Sequence, residues 1–364
     1  MRAPGYVAFL SALVLFGCGG TNQPPSAPAT GPAATSAPVL RLPVEQAAAQ
    51  LFAVGFGGTS GSDPGVRRLG DRPWGAVVIE AHNARSPAQV RALVRAIRRR
   101  AGAGSLDPPV VAISQAGGEL SALPSLPPPP EPEQEDARVA AAQATRAAQA
   151  LRPLGIELTL APVADLAAEV GPAASTGFSP DPAEAAERVA AAVRSYRAAG
   201  LASAPRSFPG EGGASQDPLS GPATVGFSLE ELRAADVRPF AAVAREAPVI
   251  QMSDAVYAAW DGVTPATLAP EAYDLLRRGL RFGGVAMTGD LNAVTAVTGG
   301  SAAQAAVDAL RAGADLLWIP GDASDQEAAY LALVRALQRD EGLRARAAEA
   351  LNRLALLRER YANP

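Results

Sequence analysis

The sequence predicts a (β/α)8 barrel of the TIM type, a single α/β domain with further helices at its C-terminal end. Three observations carry that prediction. Short β-rich runs alternate with helical stretches about eight times over roughly 280 residues. Several of these runs are apolar throughout, as parallel strands covered on both faces must be. The stretches between them are rich in Ala, Arg, Glu and Leu, which are good helix formers. In chain order the strands are expected at Leu51–Phe56, Gly75–Ile79, Val110–Ser114, Ile156–Ala161, Leu201–Ala204, Val249–Met252, Gly284–Thr288 and Asp315–Ile319. Helices are expected at Pro87–Arg100, Asp136–Leu151, Pro182–Ala199, Leu229–Ala244, Pro270–Gly279 and Ala302–Ala312. Doubly wound open sheets share this alternation, so the pattern alone leaves both architectures open. The barrel is expected over residues 41–322, with helices over 323–364 packed on its outside. The proline run Pro127–Pro130 reads as a stiff surface loop or, less simply, as a polyproline II docking segment.

Composition narrows the function. Apolar residues make up 48% of the 364 and charged residues 19%, enough to build a large core. The formal net charge is −4, which argues against a nucleic-acid partner, since that needs clustered positive charge. With one cysteine, Cys18, and one histidine, His82, a histidine- or thiolate-rich metal site is out of reach. No metal and no cofactor is expected.

The first residues read as an export signal. Arg2 precedes the apolar run Tyr6–Phe16, which is too short for a membrane-spanning helix but suits a secretory signal. Leu15-Phe16-Gly17-Cys18 resembles a bacterial lipobox, which implies a lipid on Cys18 and an envelope location. Gly19 after the cysteine points to the outer membrane, facing the periplasm or the cell surface. Residues 1–18 are thus expected to be a signal peptide, and the uncharged Pro/Ala/Ser/Thr segment 19–40 a tether that cannot bury enough apolar surface to fold.

In a barrel of this kind the working residues lie at the C-terminal ends of the strands. The segments found there are Gln50–Phe56, Gly155-Ile156 leading to Ala161-Pro162-Val163-Ala164-Asp165, Phe208-Pro209-Gly210-Glu211-Gly212, Leu229-Glu230-Glu231-Leu232, Pro265-Ala266-Thr267-Leu268 and Ala312-Gly313-Ala314-Asp315-Leu316. In order and spacing they resemble glycoside hydrolase family 3, most closely its single-domain β-N-acetylglucosaminidases, over residues 45–320. The resemblance implies retaining hydrolysis. An aspartate after the seventh strand attacks the sugar, and a loop histidine after the fifth supplies the proton.

The reactive positions of that family are altered. Its T-D-D-L reads Thr288-Gly289-Asp290-Leu291, leaving glycine at the nucleophile position. The K-H-F-P-G-H-G loop begins Arg206-Ser207 and carries Glu211 at its second histidine. The closing D-S-H reads Asp217-Pro218-Leu219, placing Leu219 at the acid/base position. D-x-E-G-G becomes Ser114-Gln115-Ala116-Gly117-Gly118, R-S-F becomes Thr176-Gly177-Phe178, and R-N becomes His82-Asn83. The histidine after strand six aligns with Asp254. The expectation is a catalytically inactive relative that holds a glycan, such as a peptidoglycan fragment, through Arg206, Asp165, Asp217, Ser114 and Ser207, or that serves as a scaffold. The alternative is weak β-N-acetylglucosaminidase activity with Asp290 as replacement nucleophile and Glu211 as acid. Moving one residue along a strand turns a side chain to the opposite face, which counts against Asp290.

Overall fold

The computed structural model describes residues 42–101, 108–169 and 171–362; the signal, the tether and Cys18 lie outside the described residues. Eight parallel strands form the barrel: β1 Phe52–Val54, β2 Ala76–Ile79, β3 Val110–Ile113, β4 Leu158–Thr159, β5 Ala202–Ser203, β6 Val249–Gln251, β7 Val285–Met287 and β8 Leu317–Ile319. Pairing runs β8-β1-β2-β3-β4-β5, with Phe52 opposite Leu317 and Ala76 opposite Val110. Individual hydrogen bonds complete the ring. Gln251 N donates to Pro205 O at 3.0 Å and Phe208 N to Gln251 O at 2.8 Å, joining β5 to β6. The β6–β7 pair sets Val249 against Val285. Asp315 N donates to Ala286 O at 2.8 Å and Thr288 N to Leu316 O at 2.9 Å, joining β7 to β8. Every residue of the eight strands is buried, which accounts for the apolar character of β1, β2, β3, β7 and β8; Thr159, Ser203 and Gln251 are the buried polar exceptions in β4, β5 and β6.

The outer helices follow from periodicity and caps. Helix Pro87–Ala101 buries Val90, Leu93, Val94 and Ile97, the 3–4 residue spacing of one helical face. Helix Ala137–Leu151 starts after Asp136, whose carboxylate accepts the Val139 amide at 2.7 Å. Helix Pro182–Ala198 starts after Asp181, which accepts two amides in the same way.

Two expected helices differ from the periodic reading. The stretch Leu229–Ala244 is two helices, Leu229–Ala234 and Val237–Val243, with Ala235 at φ −124° and ψ −85° between them. Pro239 is the cause: in a continuous helix its ring would collide with the carbonyl of residue 235. The stretch Pro270–Gly279 is α-helical only to Asp274 and then widens into a π turn over Leu275–Gly279.

Helix Ala323–Arg339 packs against helices Val44–Gln50 and Ala302–Ala312. Helix Glu341–Tyr361 runs beneath the N-terminal ends of the strands: Arg346 donates to Ala314 O at 2.8 Å and Arg358 to Gly75 O at 3.2 Å. There Asp315, fully buried, is gripped by Arg277, Arg346 and Arg353. This ionic floor leaves the opposite, C-terminal face as the open end.

Candidate functional site

The open end holds a cavity of about 450 Å³. Every expected site residue within the described chain borders it: Ser114, Asp165, Arg206, Ser207, Glu211, Asp217, Leu219, Gly289 and Asp290. Their roles differ with their surroundings.

Asp165 follows β4 and is almost wholly buried. Its carboxylate accepts the Ser207 amide at 3.2 Å and the Glu211 amide at 2.8 Å, so it ties down the 206–212 loop. Burial raises its pKa, against those two amides and the nearby Arg206 guanidinium. The loop also needs glycine at 210: with φ at 129°, a Cβ there would lie 2.6 Å from the Asp236 Cβ. Ser207 thus contributes a backbone amide to the loop's anchorage, and Arg206 faces the cavity with its Nε buried and without a hydrogen-bond partner.

Glu211 sits against a hydroxyl network. Ser253 Oγ donates to Glu211 Oε1 at 2.6 Å, and Tyr257 Oη lies 2.9 Å from both Ser253 Oγ and Gly210 O. Burial, then the Asp165 charge, pushes the Glu211 carboxyl up to about 8. At neutral pH it therefore carries its proton.

The position opposite is the most informative. Gly289 N donates to Thr267 Oγ1 at 3.0 Å, fixing the turn after β7. The space its side chain would take is filled by a neighbour from the end of β6: a Cβ at 289 would lie 2.1 Å from Asp254 Oδ1 and 2.2 Å from Oδ2. Asp254 is 7% exposed and accepts the Asp290 amide at 2.6 Å. Burial raises its pKa well above the ordinary carboxyl value, and the Glu211 and Asp290 charges push the same way. The carboxyl that fills this space is thus driven by burial toward its protonated form. Asp290 turns to its own loop, accepting the Asn292 amide at 2.7 Å and the Ala293 amide at 3.3 Å.

Asp217 caps the turn Pro218–Ser220 by accepting the Leu219 amide at 2.9 Å, and Leu219 is 67% exposed at the rim. His82 points away from the cavity chemistry, its Nε2 3.0 Å from Phe56 O. Sequence reasoning took Asp254 only as a lost histidine. It passed over Gln251, Ser253, Tyr257 and Glu80, although the first two follow directly from the C-terminal end of β6. The cavity therefore offers carboxyls and hydroxyls as hydrogen-bonding groups, one guanidinium and, among the described residues, no histidine.

Comparisons with known proteins agree with this architecture. The model for the glycosyl hydrolase family 3 N-terminal domain matches residues 44–357. A β-hexosaminidase of Pseudomonas aeruginosa (strain LESB58) is 32% identical over 272 residues, covering 72% of this chain and 79% of its own. Among solved structures, a family 3 β-N-acetylglucosaminidase from Paenibacillus sp. str. FPU-7 superposes with a TM-score of 0.80 at 28% identity, over 88% of this chain. This chain spans 63% of that longer protein's length. A β-N-acetylhexosaminidase from Beutenbergia cavernae DSM 12333 superposes with a TM-score of 0.76 at 28% identity, over 88% of this chain and 99% of its own.

Proposed function

The chain belongs to glycosyl hydrolase family 3, and on that premise we propose that it is a β-hexosaminidase-like protein that holds a terminal hexosamine in its barrel mouth without hydrolysing it. One observation carries this reading: position 289 has no side chain, and the carboxyl occupying its space, Asp254, is buried, which raises its pKa well above the ordinary carboxyl value. Retaining hydrolysis needs an ionised carboxylate at bonding distance from the anomeric carbon. A protonated acid donates a hydrogen bond but forms no glycosyl ester. The family's loop histidine is replaced by Leu219, which carries no proton to transfer. What remains is a polar cavity of about 450 Å³, the size range of small-ligand sites.

The location is part of the proposal. The Arg2 to Cys18 segment supports export and lipidation, and several acyl chains on one cysteine would anchor the protein stably. Peptidoglycan fragments are then the hexosamine-bearing molecules at hand. Mass analysis of the mature N-terminus tests this, and an unmodified chain retaining residues 1–17 would refute it.

A weakly active reading has one observation in its favour. Glu211 is protonated at neutral pH, as a general acid must be, and it borders the same cavity as Asp254. Geometry moves the candidate nucleophile from Asp290, engaged with its own loop, to Asp254. Incubation with an aryl N-acetylglucosaminide tests both readings, and the expected result is no release of the phenol. Turnover lost in Asp254→Asn, or in Asp290→Ala, would refute the inert reading and identify the acid responsible.

A further inference from the structure

Two buried acceptors in the barrel mouth lack a donor. Asp254 Oδ1 and Gln251 Oε1 accept no hydrogen bond, on residues 7% and 8% exposed. Both side chains belong to the cavity wall. Turning the Gln251 amide over does not cure its orphan, because Nε2 faces the Thr288 carbonyl at 3.4 Å. Buried acceptors are ordinarily satisfied, so each such group calls for an explanation. Among the described residues the wall carries seven carboxyl side chains against one cation, Arg206. Two of those carboxyls, Glu211 and Asp254, stand where the family motifs have histidines. The mouth has exchanged two groups able to bear positive charge for two able to bear negative charge.

From these acceptors and this imbalance we propose that the mouth selects a cationic amine: a terminal hexosamine whose 2-amino group is free, with its ammonium donating to Asp254 and Gln251. The inference rests on the glycan reading above and specifies the sugar. An ammonium brings three N–H donors and no acceptor, which suits two orphaned acceptors in an acidic wall. An acetamido group brings one N–H and a carbonyl oxygen that this wall, with Arg206 its one cation, meets mostly with acids. The ammonium also supplies the counter-charge that Asp254 lacks. Burial raises the pKa of that carboxyl when no positive charge faces it. When the ammonium docks, Asp254 ionises, the pair forms, and one proton leaves to solvent.

The test is calorimetric titration of the full chain with methyl glucosaminide, methyl N-acetylglucosaminide and methyl glucoside. It is run at mildly acidic pH, where the amine is charged, in two buffers of different ionisation heat. The expected result is that the glucosaminide binds about tenfold or more tightly than the other two and releases a proton to the buffer. Asp254→Asn keeps the side chain's shape but cannot ionise; it should unfold at the parent's midpoint, yet lose the preference. Equal or tighter binding of the acetylated sugar, binding without proton release, or a preference that survives in Asp254→Asn would each overturn the amine and leave the glycan reading standing. Silence from all three sugars would refute the glycan reading and the amine with it.

Discussion

Gly289→Ala should destabilise the native protein and stabilise it once Asp254 is cut back to alanine. In the native protein the new methyl would lie 2.1 Å from Asp254 Oδ1, 2.2 Å from Oδ2 and 2.3 Å from Cγ. Ordinary carbon contacts begin at about 3.5 Å. The carboxyl cannot simply swing aside, because it is buried and accepts the Asp290 amide at 2.6 Å. Overpacking of this kind costs about 1–3 kcal/mol. In Asp254→Ala the obstacle is gone, and replacing glycine by alanine then restricts the unfolded chain, worth about 0.4–1 kcal/mol of stability. The two effects together predict a coupling of about 1.4–4 kcal/mol between positions 289 and 254. Urea unfolding of the four proteins, fitted with a shared dependence on denaturant, measures it. Any stability lost through Asp254→Ala itself, chiefly from the unpaired Asp290 amide, cancels in the cycle. A Gly289→Ala effect of the same sign and size in both backgrounds would refute the claim that Asp254 occupies this space.

Three further outcomes follow from the same structure. Asp315→Ala leaves Arg277, Arg346 and Arg353 without their shared buried partner and should cost about 3–5 kcal/mol in urea unfolding; a loss below 1 kcal/mol would show the floor to be ornamental. Folding raises the Glu211 carboxyl from 4.5 to about 8, so across that window the folded state keeps a proton the unfolded chain has lost. Stability therefore falls as pH rises through the window, and Glu211→Gln should flatten the decline, leaving the part due to the other carboxyls that folding raises, Glu131, Asp165, Asp236 and Asp254 among them; an unchanged slope would count against a protonated Glu211. Finally, Gly289→Asp combined with Asp254→Ala restores a carboxylate in an emptied space. With an aryl hexosaminide whose phenol leaves without acid help, it should release phenol while the parent and both single variants do not.

Much of the barrel could be read from the chain because strand and helix signals there are local. Apolar runs such as Ala76–Ile79 announce burial on both faces, and Asp136 and Asp181 mark helix starts by chemistry confined to one turn. The break at Ala235 was missed although its cause, Pro239, is local, because a strong Leu/Ala periodicity hid it. The site was legible to the extent that one strand end determines each residue. Gly289, Leu219 and Glu211 could be placed on the cavity from motif position alone. The occupant of the space beside Gly289 could not be, since it arrives from the end of β6 while the motif lies after β7. No pattern within either segment reports a contact between them.

That contact changes what the glycine at position 289 means. Read along one strand, glycine at 289 is a deletion and the cavity should be larger for it. Read across β6 and β7, the deletion and the acid at 254 compensate each other: aspartate at both positions would collide, so either replacement accommodates the other. The pair conserves volume while moving the carboxyl to a different backbone. There it accepts the Asp290 amide, and among the described residues no cation pairs with it. A carboxyl without a counter-charge, buried beside Glu211 and Asp290, has its pKa raised well above the ordinary value. The arrangement that leaves position 289 without a side chain therefore holds a buried acid there that ionises more readily once a positive charge lies beside it. The proposed absence of hydrolysis and the proposed preference for a charged sugar would both follow from that one side chain.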